Sequence, residues 1–101
     1  MFMNIQIQTV HFDADQKLID FTEKKVEKLV KLYDAIVKAE VILKLDKSSS
    51  EENKIAEIKL EIPGNDLFAK RQCKSFEEAV DEVLDALKKQ LTKHKEKQRG
   101  A

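Results

Sequence analysis

The chain is poor in the residues that break structure or carry special chemistry. Its 101 residues include two glycines, Gly64 and Gly100, one proline, Pro63, one cysteine, Cys73, and no tryptophan. With so little Gly and Pro, no stretch reads as a linker, and no Gly-rich phosphate loop can be built. A lone cysteine cannot close an internal disulfide, which fits a reducing compartment. No nucleophile motif surrounds Cys73, so it reads as a small apolar residue near a strand end. No apolar run approaches a membrane span. Residues 1–10 alternate with Asn and Gln instead of forming the basic and apolar regions of a signal peptide. A soluble, cytoplasmic protein is expected. Net charge is missing as well: 19 Lys and Arg balance 19 Asp and Glu.

The zero balance hides a strong local order. From Phe76 to Asp85 every charge is acidic: Glu77, Glu78, Asp81, Glu82 and Asp85. From Lys88 to Arg99 the charges are Lys88, Lys89, Lys93, Lys95, Lys97 and Arg99, with Glu96 the exception. A concentrated cationic end on a neutral protein points to a polyanionic partner met at one face. The same acid-first, base-last order also suits a helix macrodipole with no partner at all.

The hydrophobic pattern predicts the elements. Met3, Ile5, Ile7 and Thr9 alternate with Asn4, Gln6 and Gln8, the period of a strand with one buried face. Asp13 or Asp15 can cap a helix from about Gln16 to Tyr33. On it, Leu18, Thr22, Val26, Leu29 and Tyr33 form one apolar stripe, and Lys17, Lys24, Lys28 and Lys31 a second, cationic one. Lys25 lies between them. Glu40–Leu45 reads as a second strand, residues 46–53 as a polar hairpin loop, and Ile55–Ile62 as a third strand. In that strand Ala56, Ile58, Leu60 and Ile62 point inward. Pro63-Gly64-Asn65-Asp66 is a turn, and Leu67–Cys73 a fourth, weaker strand. Ser75-Phe76-Glu77-Glu78 is a capping box opening the last helix, whose apolar residues stop near Leu91 or His94 while helix formers continue to about Gln98. One domain over 1–101 is expected, with its basic end, about 88–99, projecting past the core. The order β-α-β-β-β-α implies an α+β two-layer sandwich: a four-stranded sheet with both helices on one face, a right-handed crossover between parallel first and second strands, and an antiparallel meander after it.

No catalytic site is legible. His11, Asp13 and Asp15 stand close together but lack supporting ligands apart from distant His94, and they read better as a turn with capping aspartates. The acids of the last helix wind around it instead of converging in a loop. No Ser/His/Asp or Cys/His arrangement is present. No metal, cofactor or small-molecule substrate is expected. Cationic surface remains: Lys24, Lys25, Lys28 and Lys31 on one helix, Lys88, Lys89, Lys93, Lys95 and Lys97 on the other. Side by side they would make a basic surface broken by acids, suited to phosphates. Aromatics are few, five Phe and one Tyr, which favours recognition of a folded RNA backbone by shape over stacking on single-stranded bases.

Several strings, in this order and at these spacings, resemble one family almost end to end. They are Met3-Asn4-Ile5, Leu18 through Lys31 with Lys25-Val26-Glu27-Lys28-Leu29-Val30-Lys31, Ser75-Phe76 followed by Ala79-Val80-Asp81, and Leu87 through Lys97. The family is that of the ribosome hibernation-promoting factors and ribosome-associated inhibitors, historically labelled sigma-54 modulation or ribosomal subunit interface proteins. The resemblance implies a fold similar to double-stranded-RNA-binding domains. It also implies binding to the small ribosomal subunit and its rRNA, in the mRNA and tRNA channel at the decoding centre. Such binding would block translation and preserve idle ribosomes in stress or stationary phase. Carried over by position, the rRNA contacts would be Lys25, Lys28, Lys31, Lys89, Lys93, Lys95 and Lys97, with Lys24, Lys88 and Arg71 as secondary candidates.

The chain looks like a short form, without the ribosome-dimerising second domain of long members or the acidic tail of some inhibitors. Ser48-Ser49-Ser50 has no role that the resemblance names. The rival reading is a protein-interaction module of the sigma-factor-modulator type, docking a protein through the acidic half of the last helix or a sheet edge.

Overall fold

The computed structural model describes residues 4–47 and 51–100, with side chains described as far as residue 93. Met3, Ser48, Ser49 and Ser50 lie outside the described residues. In chain order the elements are β1 (Asn4–Val10), α1 (Gln16–Leu32), β2 (Lys38–Leu45), β3 (Lys54–Ile62), β4 (Asn65–Cys73) and α2 (Phe76–Gly100). The sheet order is β1-β2-β3-β4. The β1–β2 pair is parallel, from Asn4↔Lys38 to Val10↔Lys44, and the next two pairs are antiparallel, as the element order implies.

Local chemistry sets the boundaries. Asp15 caps α1: the Leu18 N–H donates to its Oδ1 at 2.8 Å, satisfying one orphan donor of the first turn. Tyr33, expected to end the helical stripe, is instead the C-cap in extended backbone. Strand β2 begins two residues earlier than its apolar run, because the Val37 N–H already donates to the Glu61 carbonyl at 2.8 Å. The β3–β4 turn is tighter than its turn-forming string. Ile62 pairs with Asn65, leaving Pro63 and Gly64 as the two central residues. Gly64 has φ +78°, and Pro followed by a positive-φ Gly is the type II signature. The supposedly weak β4 is nine residues long, since it pairs along all of β3. The Ser75 half of the capping box is formed, the Glu78 N–H donating to Ser75 Oγ at 3.2 Å.

Inward residues of β2, β3 and β4 (Val41, Leu43, Ala56, Ile58, Leu60, Ala69) are buried against Leu18, Val26 and Leu29 of α1 and Val80, Val83 and Leu87 of α2. Edge strand β1 is covered less completely: Ile5 and Ile7 are half-buried and Thr9 is exposed, where the period predicts one buried face. Phe12, just after β1, stacks on Phe76 at the start of α2, with centroids 4.5 Å apart and rings 12° from parallel. His11, between β1 and that contact, has φ 69°, a left-handed conformation that His tolerates better than most residues.

Topology dictates how the helices run. The crossover helix α1 reverses direction between two parallel strands. Strand β4 runs with β2, and α2 turns back from it after Lys74 and Ser75. Both helices are therefore antiparallel to the same strands, parallel to each other, and end at the same side of the molecule.

The opposite sheet face is left open and charge-compensated. Lys38 pairs with Glu40 at 3.0 Å, Lys59 with Asp66 at 3.6 Å, and Glu57 takes both Lys44 at 3.4 Å and Lys70 at 3.9 Å. The hydrogen bond and charge of Glu40 raise the Lys38 ammonium above its ordinary pKa. Lys38 lowers the Glu40 carboxyl in the same way.

One group in the core is out of place. Thr22 is fully buried on α1 and its hydroxyl has no hydrogen-bond partner among the described residues. Burying a hydroxyl unpaired costs about 1–3 kcal/mol. Thr22→Val should therefore raise stability by about 1 kcal/mol. Urea unfolding checks this, and an unchanged or lower midpoint would mean that the hydroxyl finds a partner in solution.

Candidate nucleic-acid interface

Because the helices are parallel neighbours on one sheet face, the flank of α1 that carries Lys25 and Lys28 meets the flank of α2 that carries Asp81, Asp85 and Lys88. Between them lies a groove of about 150 Å³, with Leu29 and Leu84 buried beneath it and Leu32 exposed at its side. Lys28 and Lys88 make no ion pair among the described residues, and both are exposed. Lys25 is engaged: its Nζ stands 3.3 Å from Asp81 Oδ1 and 5.5 Å from the centre of the Phe21 ring.

The other expected contact residues are distributed around this groove. Lys31 is exposed on the last turn of α1 and pairs with Glu27 at 3.4 Å. Lys24 is exposed and makes no ion pair among the described residues. A step of one residue turns an α-helix by about 100°, so Lys89 cannot share the flank of Lys88. It pairs with Asp85 one turn back at 3.6 Å, and Lys93 follows one turn further along the same row. On the side of α2 nearer β4, Gln90 Nε2 donates to the Phe68 carbonyl at 3.0 Å. Arg71, at the β4 edge, faces Glu82 at 4.0 Å and donates to the Lys70 carbonyl at 2.8 Å. Lys95 and Lys97 belong to the helical backbone of α2, and their side chains lie outside the described residues.

The structure thus brings together Lys25, Lys28 and Lys88. It sets Lys89 and Lys93 on a second row, and keeps Arg71 beside the acidic half of α2. Lys88, a secondary candidate from sequence, is central to the groove. The sequence reading missed that Asp81 is the counter-ion of Lys25 and that Leu32, 62% exposed, lines the groove. Residues so distant in the chain leave no local signal of their contact.

Asp15 is committed to its cap, and among the described residues no three His, Cys, Asp or Glu side chains converge as a ligand set. Burial, with the Glu82 hydrogen bond and the charges of Glu82, Glu78 and Glu52, pushes the Cys73 thiol up to about 11.

A sheet covered on one side by two parallel helices, with a lysine-lined groove between them, defines a class of small α+β binding domain. The chain belongs to the family described as Sigma 54 modulation protein / S30EA ribosomal protein, whose model matches residues 5–99. This is a family of non-enzymatic binding proteins. The chain is 32% identical over 98 residues to a ribosome hibernation promoting factor of Pseudomonas putida, covering 97% of this chain and 92% of that one. Among solved structures it resembles a ribosomal subunit interface protein from Coxiella burnetii. The TM-score is 0.81 at 27% identity, over 92% of this chain and 98% of the other. It also resembles the N-terminal domain of Protein Y from Thermus thermophilus, with a TM-score of 0.75 at 25% identity, over 91% and 99% of the two chains.

With its thiol near pKa 11, Cys73 is about one part in a thousand thiolate at pH 8. Native protein should resist iodoacetamide at that pH, while urea-unfolded protein is alkylated completely. Intact-mass spectrometry reads both, and rapid labelling of the native form would contradict the assigned burial.

Proposed function

We propose that this protein is a ribosome-associated hibernation factor that binds the small ribosomal subunit through its helical face. It occupies the mRNA and tRNA channel at the decoding centre and blocks translation by steric exclusion. The observation that carries the reading is the convergence of Lys25, Lys28 and Lys88 from two parallel helices on one groove, in a chain whose family is named for ribosomal proteins.

The chemistry follows from that arrangement. Lysine ammoniums neutralise rRNA phosphates, and the release of condensed counterions supplies most of the affinity. Lys28 and Lys88, without ion partners among the described residues, are available at once. Lys31, Lys89 and Lys93 extend the contact along both helices, with Lys24 beside them. Lys95 and Lys97 extend it onto the helical backbone of residues 92–100, beyond Leu91, the last buried position among the described residues. This basic end, about 88–99, is the part that projects from the single domain into the channel. The open sheet face compensates its own charges, so it competes poorly for the same phosphates. Exposed aromatic surface is limited as well. Among the described residues Phe68 is the exposed ring, and it lies on strand β4, away from the groove. Backbone shape, not base stacking, is then the recognised feature. Work at the ribosome would put the protein in the cytoplasm. Among the described residues no helix is long and apolar enough to cross a membrane.

Co-sedimentation with purified small subunits tests this proposal. Stoichiometric binding that saturating mRNA and initiator tRNA displace is the expected result. Charge reversal at Lys28 should weaken binding on the order of tenfold at physiological salt and reduce the slope of log affinity against log salt by about one. Its thermal stability should be unchanged, since the side chain is exposed. Undiminished binding by Lys28→Glu would put the interface elsewhere.

A further inference from the structure

We propose that Asp81 is a built-in competitor for phosphate, which holds Lys25 away from arbitrary polyanions and so sets the specificity of the groove. This rests on the phosphate-binding reading given above.

The geometry is that of a surrogate ligand. The Asp81 carboxylate oxygen stands 3.3 Å from the Lys25 ammonium, where a phosphate oxygen would stand. Both side chains are about half exposed, at 45% and 55%, so the pair is open to exchange. They come from different helices, so the pairing is tertiary and not an accident of helical spacing. Lys25 is further held over the Phe21 ring at 5.5 Å. Asp85, one turn along α2, lines the same groove, but its ion pair is the i,i+4 one with Lys89 on the neighbouring row of the same helix.

Two consequences follow. A phosphate arriving at Lys25 must displace Asp81 and then lie beside its uncompensated charge. A polyanion that brings one loosely placed phosphate gains little from this exchange. A rigid surface that also engages Lys28 and Lys88 gains enough elsewhere to complete it. The second consequence is numerical. A lysine that keeps its carboxylate neutralises no phosphate, so Lys25 contributes nothing to counterion release on arbitrary RNA. The neutral overall charge of the chain is then part of how it works: the acids of α2 suppress binding to the wrong RNA.

The test uses the full chain and an RNA duplex of arbitrary sequence, with affinity measured across a salt series. Asp81→Asn should bind this duplex about two- to fivefold more tightly, the scale of one exposed ion pair. Its log–log salt slope should steepen by about one. The gain should vanish in the double variant Asp81→Asn with Lys25→Gln. Asp66→Asn, the same charge change on the open sheet face, should give less. No change in affinity or slope for Asp81→Asn overturns the proposal, and so does a gain that persists without Lys25, which would be a mere effect of net charge. Small subunits provide the second arm. If they bind the wild type, their preference over the duplex should fall in Asp81→Asn, and an unchanged preference overturns the role in specificity. If they fail to bind the wild type while the duplex result appears, the ribosomal reading falls and the competition between Asp81 and phosphate stands.

Discussion

Everything on the helical face depends on two helices sharing one apolar floor. Val26 and Leu29 of α1 and Val80, Val83 and Leu87 of α2 leave water only by lying on the same side of the sheet. A fully buried side chain of this size contributes about 1.5–3 kcal/mol relative to exposure, so no surface charge pair can override that placement. Once both helices are on one face, the strand directions make them parallel neighbours. The polar flanks then have to meet, and the groove between Lys25, Lys28, Lys88, Asp81 and Asp85 is the result.

The two faces of the molecule handle charge differently. On the open sheet face, cross-strand residues of opposite sign pair directly, as Glu57 with Lys70, or diagonally, as Glu57 with Lys44 and Lys59 with Asp66. On the helical face compensation is partial: Lys25, Lys31 and Lys89 are paired, whereas Lys28 and Lys88 are not among the described residues. Exposed pairs of this kind are worth only about 0–1 kcal/mol and are screened by salt. They therefore contribute little to folding, yet lie in the range where they can bias which polyanion binds. The charge pairs of the helical face exchange easily while the core beneath them does not.

The thiol and the histidine illustrate how burial and backbone geometry decide the fate of reactive-looking residues. Cys73 ends β4 under the start of α2, and desolvation disfavours its thiolate before the nearby carboxylates add their part. His11 does the work of a turn: its positive φ redirects the chain from β1 so that Phe12 reaches Phe76 and Asp15 reaches the cap. Neither role needs chemistry from the side chain.

Much of this fold was legible because hydrophobic period and end signals agree with each other along the chain. Ala56, Ile58, Leu60 and Ile62 alternate and are buried; Leu18, Thr22, Val26 and Leu29 recur at helical spacing and are buried; Asp15 and Ser75 cap where capping residues stand. Boundaries drifted where backbone pairing with a distant strand prevailed over side-chain pattern, as at Lys38 and Asn65. The candidate lysines could be named but not sorted. Which flank each occupies relative to the other helix depends on how the two helices rotate onto the sheet. The sequence by itself determined the elements, their inward faces and the supply of cations. Only tertiary packing decided that Lys88, not Lys89, faces α1, and that Asp81 holds Lys25. Local periodicity is written residue by residue, whereas the pairing of two helix flanks arises when a shared apolar layer brings them together.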